Sequence, residues 1–369
     1  MAPPPSARAV DRLHRLVPHV ADHTELQSES LSVINEVVPF DVAIHTSVDP
    51  GSLLDTSCVP FGATHDPARE MRHFELEYRT DAPLAYRTLA RSPARAAALR
   101  LEVEDPQAVP RYVDIIEPNG GHDEIRATFV TDDQCWGSIT LYRMVGRPAF
   151  SSEDVAFFTA ISDVMAQGLR MCFLRAATQQ PTRIADPPGH MTVDQSCHIL
   201  STTAEAEHWM STLHPNGQMP AVLASLVAAL AHQPVARVTV IGTDGPVTVH
   251  ASRATGLDEA VAIILESPRP VDLSTIVAEA HDLTPRETQV AAAVMRGLAT
   301  RQIANLLGIA EYTVQDHLKA VFDKVGVANR GELTFELFIR HYLPPTRANA
   351  TPGPYGYFLE EPAGDSSAS

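Results

Sequence analysis

The chain has 369 residues, 44% of them hydrophobic, and a formal net charge of −17. That length suffices for two or three domains, each with a core of its own. The acidic balance excludes a protein that coats nucleic acid or anionic membrane nonspecifically, so any DNA contact must come from a local patch. No stretch approaches the roughly 20 apolar residues that span a bilayer; the best, MPAVLASLVAALAH from Met219 to His232, is shorter. The opening MAPPPSARAV lacks the apolar core of a secretory signal, and residues 1–10 are expected to be disordered. Four cysteines (Cys58, Cys135, Cys172, Cys197) lie far apart with no C-x-x-C pair. They read as reduced core thiols of a soluble, cytoplasmic chain with no membrane partner.

The first domain is expected over residues 11–175. Helical patterns in DRLHRLVPHV and LQSESLSVINEVV stop at Pro39. FDVAIHTSVD then sets Val42, Ile44, Thr46 and Val48 at period two, the mark of a half-buried strand. EIRATFVTDDQCWGSITLYRM holds two strand-like runs around a polar DDQ turn, a hairpin. The helix that follows starts at FSSED: Ser151 can cap it, Asp154 lies three residues on, and Phe150 can staple to Val155. This ending, with a glycine after an aromatic in the last hairpin and then F-S-x-E-D, resembles a GAF-type sensor domain. The resemblance implies an antiparallel sheet flanked by helices, in a family that often has a pocket for a small ligand.

Residues 176–190 include the proline-rich QQPTRIADPPGH and read as a linker. Over residues 191–270 the order is a strand at HILSTT, helices at AEAEHWMSTL and PAVLASLVAALAH, then VARVTVIGTDGPVTVHASRA as two strands joined at Thr-Asp-Gly. AVAIILES is one more buried strand. This order resembles a small PAS-like domain. Cys197 and His198 are adjacent in a predicted strand, so they point to opposite faces and do not share a metal. His208 and Trp209 are read as core. No metal or cofactor is expected. The tail, residues 344–369, is rich in Pro, Gly, Ser and acid, and reads as disordered.

Residues 279–343 carry the chemistry. Thr284 can cap a helix, proline follows at its first position, and Glu287 completes a capping box. Val290, Val294 and Leu298 repeat along one face, and Gly297 ends the helix. In RQIANLLGIAEYTV a short helix turns at Gly308 into another, with Ile303, Ala304 and Leu307 facing inward. Val314, Leu318, Val321 and Val325 form the buried stripe of the second helix. Small Ala304 and the Gly308 turn let two helices cross closely, as a helix-turn-helix requires. The opposite face of the second helix carries Tyr312, Gln315, Asp316 and Lys319 at i, i+3, i+4 and i+7, an exposed polar row suited to a major groove.

These residues, with LTPRE, Ile309, Thr313-Val314, His317, Lys324, Val327 and Arg330, closely resemble the C-terminal DNA-binding domain of LuxR-type transcription regulators. The resemblance covers about sixty residues. It implies an all-α four-helix domain whose third helix reads the groove and whose fourth, here about 331–342, often pairs two subunits. Two departures stand out. Serines that usually open the second and third helices are Ala299 and Ala310, a loss of about 1 kcal/mol each, although Thr300 could cap the second. The usual lysine after Thr-Val is Gln315. From Leu283 to His341 there are seven Lys or Arg against six Asp or Glu, a modest phosphate footprint.

Asp316 is open to three readings: it accepts from a cytosine amino group with Gln315 on an adenine, it pairs with Lys319 on the helix surface, or the domain has lost DNA binding. Thr300, Arg301, Lys324 and Arg330 are the candidate phosphate contacts, and His317 is read as structural. No nucleotide-binding, zinc-protease or serine-hydrolase motif is present, so no catalytic residue is assigned. The chain therefore reads as a multidomain protein: an α+β sensor region, GAF-like then PAS-like, before the helix-turn-helix. Its expected function is that of a dimeric, sequence-specific transcription regulator, with double-stranded DNA as partner and a small ligand as a further candidate. The alternative is a protein-interaction module with a weakened DNA surface.

Overall fold

The computed structural model describes residues 4–63, 66–78, 82–179, 187–213, 221–254, 260–268, 283–295, 297–334, 351–352 and 358–359. Contacts divide the chain into two compact bodies, residues 1–176 with 188–266 and residues 177–187 with 267–369.

The first body opens with α1 (Pro5–Leu16) and α2 (His23–Val37). Helix α1 starts inside the stretch 1–10 that the sequence suggests is disordered. Its proline sits in the first turn, where no amide hydrogen is needed, and Ala9 and Leu13 are buried at i, i+4 spacing. Those two anchors hold the segment against the core.

Five strands follow: β1 (Val42–Val48), β2 (Asp55–Phe61), β3 (Ala96–Ala98), β4 (Gly121–Thr131) and β5 (Gln134–Met144). They form an antiparallel sheet in the order β2-β1-β5-β4-β3. Helices α3 (Pro67–Glu77) and α4 (Tyr86–Leu89) lie between β2 and β3. A short α5 (Leu99–Glu102) and a π-helical turn at Tyr112–Ile116 separate β3 from β4. The β4–β5 hairpin falls where the sequence predicts: Thr131 pairs with Gln134 across Asp132 and Asp133, whose φ angles are 48° and 61°. Two left-handed central residues make the hairpin's favoured turn, and aspartate tolerates that region better than most.

One face of this sheet packs on α1, α2 and the long α6 (Ser152–Gln179) through Leu13, Leu26, Ile34, Phe129, Leu141 and Phe158. The predicted start of α6 is present, with Ser151 and Asp154 each accepting from the other's backbone N–H, at 3.2 and 2.9 Å. In β1 the helix layer takes Ala43 and His45, while Val42 and Ile44 are half-buried and Thr46 and Val48 buried on the other face. The sheet is covered on both sides, so alternation does not tell which parity faces the helices.

The second face is polar and equally buried. Glu124, Arg126, Ser138 and Thr140 are all fully buried. Arg111 donates to Glu124 through Nε and Nη2 at 3.0 and 2.9 Å. Arg126 is ion-paired with Glu77, donates to the Leu84 carbonyl at 3.0 Å, and lies 3.7 Å from the centroid of the Tyr86 ring. Charge survives burial only with such partners.

A second antiparallel sheet holds β6 (Gly189–Val193), β7 (Ile199–Thr202), β8 (Val235–Gly242), β9 (Gly245–Arg253) and β10 (Val261–Glu266), ordered β7-β6-β10-β9-β8. Counted from its own first strand, each sheet runs second, first, fifth, fourth, third. Strand β6 begins inside the expected linker, 176–190, and α6 reaches into that linker from the other side; residues 180–186 lie outside the described residues. Gly189 explains why the strand was missed. A Cβ there would stand 2.5 Å from the Ala206 backbone, so the glycine marks close approach of β6 to α7 (Ala204–Leu213), not a loop.

Cys197 and His198 lie in the turn before β7, not within the strand: Cys197 is buried with φ of 61°, and exposed His198 holds Asp194 at 3.1 Å. Trp209 is buried as expected, but His208 is exposed. Helix α8 (Ala221–Ala229) is buried almost all round, and the core beneath it also takes Leu54, Met71 and Tyr78 from the first sheet's surroundings. The two sheets therefore share one apolar joint.

In the second body, four helices are described: α9 (Pro285–Met295), α10 (Thr300–Leu307), α11 (Glu311–Val325) and α12 (Arg330–Thr334). The rest of the expected fourth helix lies outside the described residues. So does most of the tail, where Thr351–Pro352 and Phe358–Leu359 pair as β11 and β12. Among the described residues no helix is long and apolar enough to cross a membrane.

Fully buried His45 gives the first body a dependence on pH. Burial pushes its pKa down to about 4, against the raising effect of its hydrogen bond to the Gln27 carbonyl. The folded state keeps it neutral while the unfolded state takes a proton below about 6.5. Its contribution is thus intact above pH 6.5 and lost as pH falls towards 4. Urea unfolding at pH 7 and pH 4.5 should show His45→Gln losing about 2–3 kcal/mol less than wild type on acidification; equal losses would refute this.

Candidate nucleic-acid interface

The second body builds a platform for one helix. Thr284 Oγ1 accepts from the Glu287 N–H at 3.3 Å, and Glu287 Oε2 accepts from the Thr284 N–H at 2.8 Å, completing the predicted capping box of α9. The core joins Val290 and Val294 of α9, Ile303 and Ala304 of α10, Val314, Leu318 and Val321 of α11, and Leu333 of α12. Gly308 ends α10 at φ of 65°, a left-handed residue that reverses the chain into α11 at little steric cost.

Helix α10 is capped differently from expectation. Ala299 offers no side-chain oxygen, but Gln302 Oε1 reaches back to the Ala299 N–H at 2.8 Å. Thr300 does not cap; its hydroxyl accepts from Arg330 Nη2 at 2.8 Å. A glutamine at the third helical position was the available sequence signal. Ala310, before α11, has no side-chain cap and no such substitute.

The expected DNA-facing residues fall into two groups. Tyr312, Gln315, Asp316 and Lys319 are all exposed, Tyr312 at 71%, on the side of α11 opposite Val314, Leu318 and Val321. Among the described residues neither Asp316 nor Lys319 has a hydrogen-bond or ion-pair partner, so the two do not hold each other. His317 is half-buried. Of the phosphate candidates, Arg301 is exposed at the start of α10, whereas Lys324 and Arg330 are engaged inside the domain. Lys324 Nζ lies 2.7 Å from Glu287 Oε2, and Arg330 donates to the Leu298 carbonyl at 2.9 Å as well as to Thr300. Arg286, not singled out from sequence, donates to the Leu307 carbonyl at 2.6 Å and so ties α9 to the end of α10.

Burial raises the Glu287 carboxyl, but the Lys324 ammonium and the Thr284 hydrogen bonds outweigh it and leave the pKa lowered. This carboxylate serves two helices at once. Glu287→Ala should cost about 1–2 kcal/mol by loss of the cap and the ion pair, read as faster hydrogen exchange throughout α11. Gln315→Ala, on the free face, should stay within about 0.5 kcal/mol of wild type. A reversed order would mean that the exposed row is part of the scaffold.

Residues 281–337 match the family described as GerE, bacterial regulatory proteins, luxR family. Over 61 residues the chain is 44% identical to an HTH-type transcriptional regulator in the exeN 3′ region of Aeromonas salmonicida, covering 16% of this chain and 31% of that protein. Over 56 residues it is 41% identical to the transcriptional regulatory protein UhpA of Salmonella typhimurium, covering 15% and 29%. The chain thus spans less than a third of the length of these curated relatives. The GAF domain of a phosphoenolpyruvate-protein phosphotransferase from Coxiella burnetii aligns over 46% of this chain and 95% of its own, with 10% identity and a TM-score of 0.32. A likeness that low bears on neither ligand nor activity. Residues 281–337 of this chain are a luxR-family helix-turn-helix domain.

Proposed function

We propose that this protein is a sequence-specific DNA-binding transcription regulator, dimeric and cytoplasmic, controlled by a small ligand or partner at its first body. The observation that carries the reading is the exposed row on α11, set on a luxR-family platform whose Arg286, Glu287, Lys324 and Arg330 are engaged within the domain. Tyr312, Gln315, Asp316 and Lys319 meet base edges, with Gln315 suited to adenine and Asp316 to the cytosine amino group. The free state of Asp316 and Lys319 supports this over a surface ion pair. Thr300, Arg301, Lys324 and Arg330 meet phosphates. Arg330 keeps N–H groups beyond those it spends on Leu298 and Thr300.

The two sheets of the first body act as GAF-like and PAS-like modules; their shared strand order and common joint support reading them together. Pairing of the fourth helices would place two half-sites about 34 Å apart, one turn of duplex. The second reading, a protein-interaction module with a weakened DNA surface, is favoured by the internal use of Lys324 and Arg330.

Incubating the protein with a random duplex pool at fixed, near-physiological salt separates the readings. A recovered inverted repeat is expected, and an unselected pool from folded protein would support the interaction module. Lys319→Ala should weaken binding by about tenfold, while Asp316→Asn should relax selectivity at one base position, worth about 1–3 kcal/mol. Unchanged selectivity in Asp316→Asn would remove the base-reading role.

A further inference from the structure

At the joint between the two sheets of the first body, two carboxyl groups are buried, and only one of them, Glu77, is ion-paired with Arg126 among the described residues. Asp55 opens β2 at 4% exposure, and Glu77 ends α3 at 5%. Glu77 is ion-paired with Arg126 and accepts from the Tyr86 N–H at 2.9 Å. Arg126 also stands 3.8 Å from Glu124, so its charge is already divided between two carboxylates. The hydrogen bond left to the Asp55 side chain comes from Thr46.

The same residues reach the second sheet. The Asp55 N–H donates to the Tyr78 hydroxyl at 3.4 Å, and that hydroxyl shares a 2.6 Å hydrogen bond with Ser225 Oγ of α8. Leu54, next to Asp55, belongs to the apolar core beneath α8. Displacing the start of β2 therefore disturbs a hydrogen bond and an apolar contact across the joint.

The groups around Asp55 are Thr46 of β1, Cys58 of β2, Glu77 and Tyr78 of α3, Arg126 of β4, Cys135 of β5, and Ser225 of α8 through Tyr78. Glu77 and Arg126 carry charge. Burial pushes the Cys135 thiol up to about 12 and the Tyr78 phenol well above its usual value, so these stay neutral, whereas Cys58, expected in the core, is exposed. Burial, then the Glu77 charge, push the Asp55 carboxyl up to about 7. The folded chain thus holds a proton that the unfolded chain releases near pH 4, and the stability this contributes is lost as pH rises through 7.

We propose that Asp55 is a proton-operated latch on this joint: neutral, it lets β2 seat against α3 and α8, and ionised beside Glu77, it loosens the Tyr78–Ser225 link. The test is hydrogen exchange of the full chain at pH 6 and pH 8.5, corrected for the intrinsic chemical rate. Protection of α8 amides should fall about tenfold between the two in wild type. In Asp55→Asn, which cannot ionise, protection should be the same at both. A wild-type protection factor that does not change overturns the proposal, as does an undiminished fall in Asp55→Asn. If that variant does not fold, Glu77→Gln serves: it frees Arg126 for Asp55, so the midpoint of the wild-type change should move to lower pH. An unmoved midpoint would also overturn the latch.

Discussion

The first body depends on a guanidinium that water cannot reach. Arg126 is fully buried in the middle of β4, and a bare cation there would cost several kcal/mol. It is tolerated because Glu77 arrives from α3, Tyr86 supplies a ring face from α4, and the Leu84 carbonyl accepts from it. These three partners all come from the segment between β2 and β3, so satisfying one charge fixes how that segment covers the sheet. Arg111 does the same for Glu124 from the π-helical turn. Removing one member would strand another, so the network specifies an arrangement more than it adds stability. Asp55 lies at its edge, where the available positive charge has run out.

The helix-turn-helix domain solves a different problem. Its described core is a small apolar cluster, and domains of this size bury a smaller share of their surface than larger ones. It compensates with polar clamps between helices: Glu287 to Lys324, Arg330 to Leu298 and Thr300, and Arg286 to Leu307. This divides α11 along its length. Its C-terminal turn is held by Lys324, while Tyr312, Gln315, Asp316 and Lys319 are exposed.

Sequence made this domain legible because its signals are local. The Thr284–Glu287 box, the glycine at 308 and the stripe from Val314 to Val325 each need only a few neighbouring residues. The Ser151–Asp154 cap and the Asp132-Asp133 turn were readable for the same reason. What escaped depended on distant partners. Gly189 looks like linker composition until α7 is placed against it. Glu124 and Arg126 on the polar parity of β4 are buried through Arg111 and Glu77, which lie far from them in sequence or in another element. Thr300 looks like a cap until Arg330 takes its hydroxyl and Gln302 performs the task. Pattern reading finds where polar groups alternate, but not whether water or a partner satisfies them.

Asp316 concentrates the remaining electrostatic question. The chain carries −17 overall and its helix-turn-helix segment is close to balanced, so long-range attraction to DNA is weak. Specific contact must then rest on short-range complementarity within about 8 Å, the Debye length at physiological salt. An unpartnered carboxylate on the groove face is repelled by phosphate in a misaligned register and is compensated only opposite a donor, such as the cytosine amino group. If Asp316 faces the groove as proposed, the same charge that lowers nonspecific affinity would sharpen discrimination between sites. In that docking the carboxylate would act in the same direction as the net charge of −17, which already opposes nonspecific binding.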